Sequence, residues 1–270
     1  MDALTRNNVT VYGEGERALV FVHGFGCDQR MWRLVAPAFA DRYRVVLLDL
    51  VGAGGSDLTA YDPARYATLA AHADDVLAVL RAMNLQDVVL VGHSVSSMIA
   101  VLAAGREPAR FSGLVLVGPS PRYLNDEGYT GGFEAGDIEE LLAALDDNYQ
   151  GWSGYIAPVI MGHPDRPELA QELNESFCRT DPKIARHFAR VTFLSDNRRD
   201  LAAVRTPTLI LQCAQDVIAP PVVGQYLHRQ LPGSRLVVLD TSGHCPHLSA
   251  PQPTTAAIEA FLAELEPVAV

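Results

Sequence analysis

The chain is 270 residues long, 49% hydrophobic and 20% charged, with a mean hydropathy of +0.09. That is the composition of a folded globular protein and excludes a disordered or fibrous chain. A net charge of −11 and a pI near 5.1 argue against general affinity for nucleic acid or anionic membrane.

The N-terminal stretch MDALTRNNVTVYGEG lacks the apolar core of a signal peptide. No later apolar run reaches the roughly 18 residues of a membrane span. Cys27, Cys178, Cys213 and Cys245 form no C-x-x-C pair of the kind that holds zinc. These features predict a cytoplasmic protein with free thiols and no metal. Nothing in the sequence demands more than a monomer.

In chain order, 9–15 reads as a first strand ending in a turn. The runs 18–23, 44–49, 87–92, 113–118, 207–213 and 235–240 are almost continuous in Val, Leu and Ile. Such runs predict strands covered on both faces. Helical patterns at 68–83, 95–105 and 251–265 lie between or after them, so the expected fold is α/β, a mostly parallel sheet flanked by helices. About 85 residues after Gly118 carry no strand signal, too many for a bare loop. Within them, apolar spacing predicts helices at 138–148, 167–178 and 183–194. Pro167 stands near the first turn of the second, and Asp181-Pro182 caps the third. The expected organisation is a core formed by 1–121 and 197–270, with a helical lid at 122–196.

The chemistry centres on Gly92-His93-Ser94-Val95-Ser96, between a buried strand and an amphipathic helix. A serine on a sharp strand-to-helix turn is a nucleophile elbow, and its neighbours two residues away must be small. Gly92 meets that need; Ser96 replaces the usual second glycine. His23-Gly24-Phe25-Gly26 follows the first long strand. Its glycines let backbone N–H groups approach a developing oxyanion, and the N–H groups of Phe25 and Val95 are the expected donors. The base is expected at His244, just past the last strand, with His247 as the rival. His23 and His93 read as structural. Asp216, three residues beyond Cys213, is the expected acid, with Asp240 as the alternative. Asp49 and Asp57 read as loop architecture. The order Ser94, Asp216, His244 is that of the α/β-hydrolases, and their acyl-transfer chemistry needs no cofactor.

The segments GHSVSSMIA, GPSPRYLND, GGFE, NYQGW, FCRTDPKIARHFA, FLSDNRRDL, LILQC and SGHCPHLS resemble the small α/β-hydrolases typified by the bacterial stress regulator RsbQ. They also resemble its plant relatives, the karrikin and strigolactone receptors. The resemblance runs over nearly the whole chain. It implies an α/β-hydrolase fold with an inserted four-helix lid over a largely apolar pocket. Carried over by position, Phe25, His93, Tyr123, Phe133, Trp152, Phe177 and Phe193 would line that pocket. The resemblance also implies a small apolar ester or lactone as ligand and a phosphatase with a ligand-sensing domain as partner. Where the plant receptors carry a Phe after Trp152, this chain has Tyr155-Ile156. Cys245-Pro246-His247 and Phe177-Cys178 look closer to the bacterial branch.

Three readings remain open: an ester or lactone hydrolase, a ligand-sensing regulator with little turnover, and a carbon–carbon bond hydrolase. Haloalkane dehalogenases and epoxide hydrolases need Asp where this chain has Ser94.

Overall fold

The apolar runs become the strands of one sheet in the computed structural model, which describes residues 2–265. After a short helix, α1 (Ala3–Arg6), the strands are β1 (Thr10–Tyr12), β2 (Ala18–Val22), β3 (Arg44–Leu48), β4 (Val88–His93), β5 (Phe111–Val117), β6 (Thr208–Gln215) and β7 (Ser234–Ser242). Their order across the sheet is β1-β3-β2-β4-β5-β6-β7. Only the β1–β3 pair is antiparallel; the others are parallel. Successive strand residues point to opposite faces, so each central strand feeds two cores. Val20, Leu90, Leu114 and Ile210 pack towards α2 (Ala70–Ala82), α3 (Val95–Arg106) and α8 (Pro221–Gln230). Phe21, Val91, Val115 and Leu211 pack on the other face with Trp32, Phe39 and the final helix, α10 (Pro251–Leu265); a short turn of helix, α9 (Pro246–Ser249), precedes it.

That second core continues into the lid. Four helices, α4 (Ala135–Asp147), α5 (Tyr149–Met161), α6 (Pro167–Arg179) and α7 (Pro182–Phe193), cover the carboxyl edge of the sheet. Helix α6 turns Leu169, Leu173 and Phe177 inward, at spacings of four. Asp181 starts α7 by accepting from the Lys183 and Ile184 N–H groups at 2.8 and 3.2 Å, and Pro182 occupies the first turn.

Helix α5 was not visible as a periodic pattern. Gly151, Gly154 and an internal Pro158 dilute its signal, and its direction comes from packing of Trp152, Ala157 and Met161. It starts on Asn148, whose side chain accepts from the Gly151 N–H at 3.0 Å. It ends at Gly162, with φ +64°, pressed against Gly243 so closely that a Cβ would fall 2.7 Å from the Gly243 nitrogen. The lid is therefore joined to the loop that carries His244: the His244 N–H donates to the Ile160 carbonyl at 2.7 Å. No helix among the described residues is long and apolar enough to cross a membrane.

Candidate active site

Ser94 sits between β4 and α3 with φ +55° and ψ −122°. A non-glycine residue held at positive φ is strained, and such strain is tolerated where it aims a functional side chain. The tightness of the turn explains its small neighbours: a Cβ on Gly92 would lie 2.3 Å from the Ser96 carbonyl oxygen. Ser96 is more than a tolerated variant. Its buried hydroxyl donates to the His23 carbonyl at 2.5 Å, which ties the start of α3 to the loop after β2.

Three loops at the carboxyl edge of the sheet bring the predicted groups together. The Ser94 hydroxyl donates to His244 Nε2 at 2.8 Å. His244 Nδ1–H donates to Asp216 Oδ2 at 2.7 Å. The other Asp216 oxygen accepts from the Ile218 and Ala219 N–H groups at 2.8 and 3.0 Å, so the carboxylate is held by the backbone after β6. All three side chains are buried. Asp240, the alternative acid, is exposed on β7.

The expected oxyanion donors flank the nucleophile. Val95 opens α3, so its N–H has no helical carbonyl to bond. The Phe25 N–H makes no hydrogen bond to a described residue. Gly24 brings that loop in: a Cβ there would lie 3.2 Å from the Ser94 Cβ and 2.5 Å from His93 Nδ1. His23 holds the loop, donating from Nδ1 to the Gly24 carbonyl at 2.8 Å and accepting from the Leu50 N–H at 3.0 Å. His93 Nε2–H donates to the His244 carbonyl at 2.9 Å. Asp49 and Asp57 shape loops by accepting from backbone N–H groups, those of Gln29 and Gly55 for Asp49 and that of Thr59 for Asp57.

The other titratable groups are tuned away from competing roles. Burial lowers His247 to about 3, and its ring lies on Trp32 at 4.6 Å. Burial raises the thiols of Cys27 and Cys245, which removes them as nucleophiles near neutral pH. His93, Cys245 and His247 place one ligand-type atom each within 4.8 Å of one another. His93 Nε2 is already engaged by the His244 carbonyl, and the His247 ring packs on Trp32.

Above Ser94 lies a closed apolar chamber. Phe25, His93, Tyr123, Trp152, Phe177 and Phe193 line it, as the resemblance implied. Phe133 does not: the chain doubles back so that residue 133 pairs with Leu124, leaving its ring half-buried outside the lining. Cys27, Leu141, Ile156, Ile160, Leu173, Thr192, Ile218 and Cys245 also line the wall; its aliphatic positions carry no signal distinct from ordinary packing. Tyr155 points outward, 74% exposed. Phe25 is the hub, with its ring 5.8–6.3 Å from those of Trp152, Phe177, Phe188 and Phe193. The chamber's volume is only about 30 Å³. A larger cleft of about 740 Å³ between α7 and the start of α2 lies open to solvent and lacks the nucleophile.

A family model described as "Alpha/beta hydrolase family" matches residues 19–257. The chain belongs to the alpha/beta hydrolase family. Among similar members, the strigolactone esterase D14 of Arabidopsis thaliana is 44% identical over 90% of this chain and 91% of its own. The karrikin insensitive 2 receptor CA of Petunia hybrida is 41% identical over 91% of each. The solved structure of a hydrolase from Oleispira antarctica superposes with a TM-score of 0.95 at 42% identity, covering 97% of this chain and 96% of that one. For this alpha/beta hydrolase, the similarity to hydrolase-type receptors therefore spans core and lid alike.

Proposed function

We propose that this alpha/beta hydrolase cleaves small, neutral, apolar esters or lactones by acyl transfer through Ser94. The observation that carries the proposal is the unbroken Ser94–His244–Asp216 hydrogen-bond chain at the floor of an apolar chamber. His244 takes the hydroxyl proton as Ser94 Oγ attacks the carbonyl carbon. Asp216 holds the imidazole in the Nδ1–H tautomer and stabilises the imidazolium. The Phe25 and Val95 N–H groups receive the developing oxyanion. His244 then hands its proton to the departing alkoxide or enolate. A water, deprotonated by the same imidazole, releases the acid from Ser94. No Asp, Glu, Lys or Arg lines the chamber, which favours an uncharged substrate. Hydrolysis of p-nitrophenyl acetate by the wild type and by Ser94→Ala tests the chemistry; equal rates in the two would overturn it.

A second reading, ligand sensing, draws support from the closed chamber. A volume of about 30 Å³ holds little more than water, so ligand entry requires the lid to shift, and a partner protein could read that shift. Cys245-Pro246-His247 and Phe177-Cys178, which resemble RsbQ-like hydrolases, favour a phosphatase with a ligand-sensing domain as that partner, in stress signalling. The free thiols fit a reducing compartment such as the cytoplasm. Ligand-dependent capture of such a phosphatase by Ser94→Ala supports this role, and identical capture with and without ligand contradicts it.

A further inference from the structure

We propose that the chamber holds a second polar anchor, the Thr192 hydroxyl, and that the substrate is a neutral ester or lactone bearing a second hydrogen-bonding oxygen away from its scissile carbonyl. The proposal rests on Ser94 being the acylated nucleophile.

The inward stripe of α7 is Ala185, Phe188, Ala189, Thr192 and Phe193, at the spacing of one helix face. Thr192 is its one polar member. The side chain is 1% exposed and lines the chamber. A threonine inside a helix commonly satisfies its hydroxyl on the carbonyl four residues back. Here Oγ1 has no hydrogen-bond partner among the described residues. Buried hydroxyls left without a partner are disfavoured, and each one in a native structure calls for an explanation. A ligand atom supplies one, because Thr192 lines the space where the substrate must sit.

A second hydroxyl sets the direction. Tyr123 is also buried in the wall, and the one hydrogen-bond partner of its OH among the described residues is Ser94 Oγ, at a loose 3.5 Å. Its ring lies 5.2 Å from that of Phe193, the residue after Thr192. Tyr123 thus marks the nucleophile end of the chamber, and Thr192 marks a neighbouring point on α7. A hydroxyl both donates and accepts, so an ether, carbonyl or alcohol oxygen would satisfy it. A carboxylate would not be accommodated, because the wall offers no cation.

The test compares p-nitrophenyl esters in isosteric pairs: methoxyacetate with butyrate, and 3-methoxypropanoate with pentanoate. Each variant is compared with wild type on the same ester, which cancels intrinsic reactivity. Thr192→Val removes the hydroxyl and keeps the shape. Its kcat/KM is expected to fall roughly tenfold on at least one oxygen-bearing ester, the worth of one buried hydrogen bond. Each alkyl partner should change by less than about twofold. Thr192→Ser should restore the oxygen preference. Equal changes within both pairs, or no change in either, would overturn the anchor. Failure of the hydrolase reading looks different: Ser94→Ala would then match wild type on all four esters.

Discussion

The floor and the roof of the chamber are held in different ways. On the sheet side, each group hangs from backbone that has nowhere else to go. Ser94 is fixed at positive φ, Asp216 is held by two N–H groups, and Gly24 is wedged against His93 and Ser94. On the lid side, the walls are interlocked rings, Trp152 on Phe177 at 5.4 Å and both on Phe25. A few polar ties steady them: the Ser153 hydroxyl donates to Asn174, and Tyr61 bonds His187 across to the core. Hydrogen bonds fix direction, whereas ring contacts allow several packings of similar energy. The floor is therefore built for precise chemistry and the roof for reshaping around a ligand.

Substitutions sharpen that contrast. Asp216→Asn should leave the floor in place yet supply the wrong partner for His244, lowering kcat on p-nitrophenyl acetate by about 10⁴-fold. Asp240→Asn, exposed on β7, should change it less than twofold. Comparable losses in the two would break the assignment. In the roof, Trp152→Ala should reorder substrates instead of abolishing turnover. The enlarged chamber should shift the hexanoate-to-acetate ratio of kcat/KM roughly tenfold towards hexanoate, the order expected of a few methylenes in an apolar pocket. An unchanged ratio would show that Trp152 does not set the chamber's size.

Acid stability separates the regions again. His72 is fully buried between the rings of Tyr66 and Phe188, with neither nitrogen hydrogen-bonded among the described residues, and burial lowers it to about 3. The unfolded chain binds that proton near pH 6.5, so stability is lost as pH falls from about 6.5 towards 3. His72→Phe should reduce the stability lost between pH 7 and 5, read by urea unfolding, by about 2 kcal/mol. No reduction would mean that His72 is not buried neutral. The smallest effect belongs to Tyr155→Ser on the outer face of α5, which should alter stability by less than about 0.5 kcal/mol and leave the rate unchanged.

The same division governs what was legible in the sequence. The floor is local: strand, sharp turn and helix lie within a few residues of Ser94, and Asp216 and His244 each follow a strand directly. The strand positions along the chain and those of these groups could therefore be read from residues 18–118 and 207–249, whereas the order of the strands across the sheet could not. The roof depends on distant packing. Helix α5 was hidden by Gly151, Gly154 and Pro158, because tertiary contacts override its weak propensity. Phe133 was misplaced because its half-buried ring packs against the apolar cluster behind the wall without lining the chamber, a distinction that sequence position does not carry. Thr192 could have been noticed as the one polar residue on the inward stripe of α7. Ser96 looked like a mere substitute for glycine, since its bond to His23 joins residues 73 apart.

The acyl-enzyme itself is the most direct test of the account. The protein would be mixed with p-nitrophenyl butyrate, quenched in acid within the first turnovers and digested for mass spectrometry. A butyryl mass increment on the peptide bearing Ser94, absent in Ser94→Ala, is the predicted result. Turnover that continues undiminished in Ser94→Ala, or an adduct confined to another residue, would contradict it.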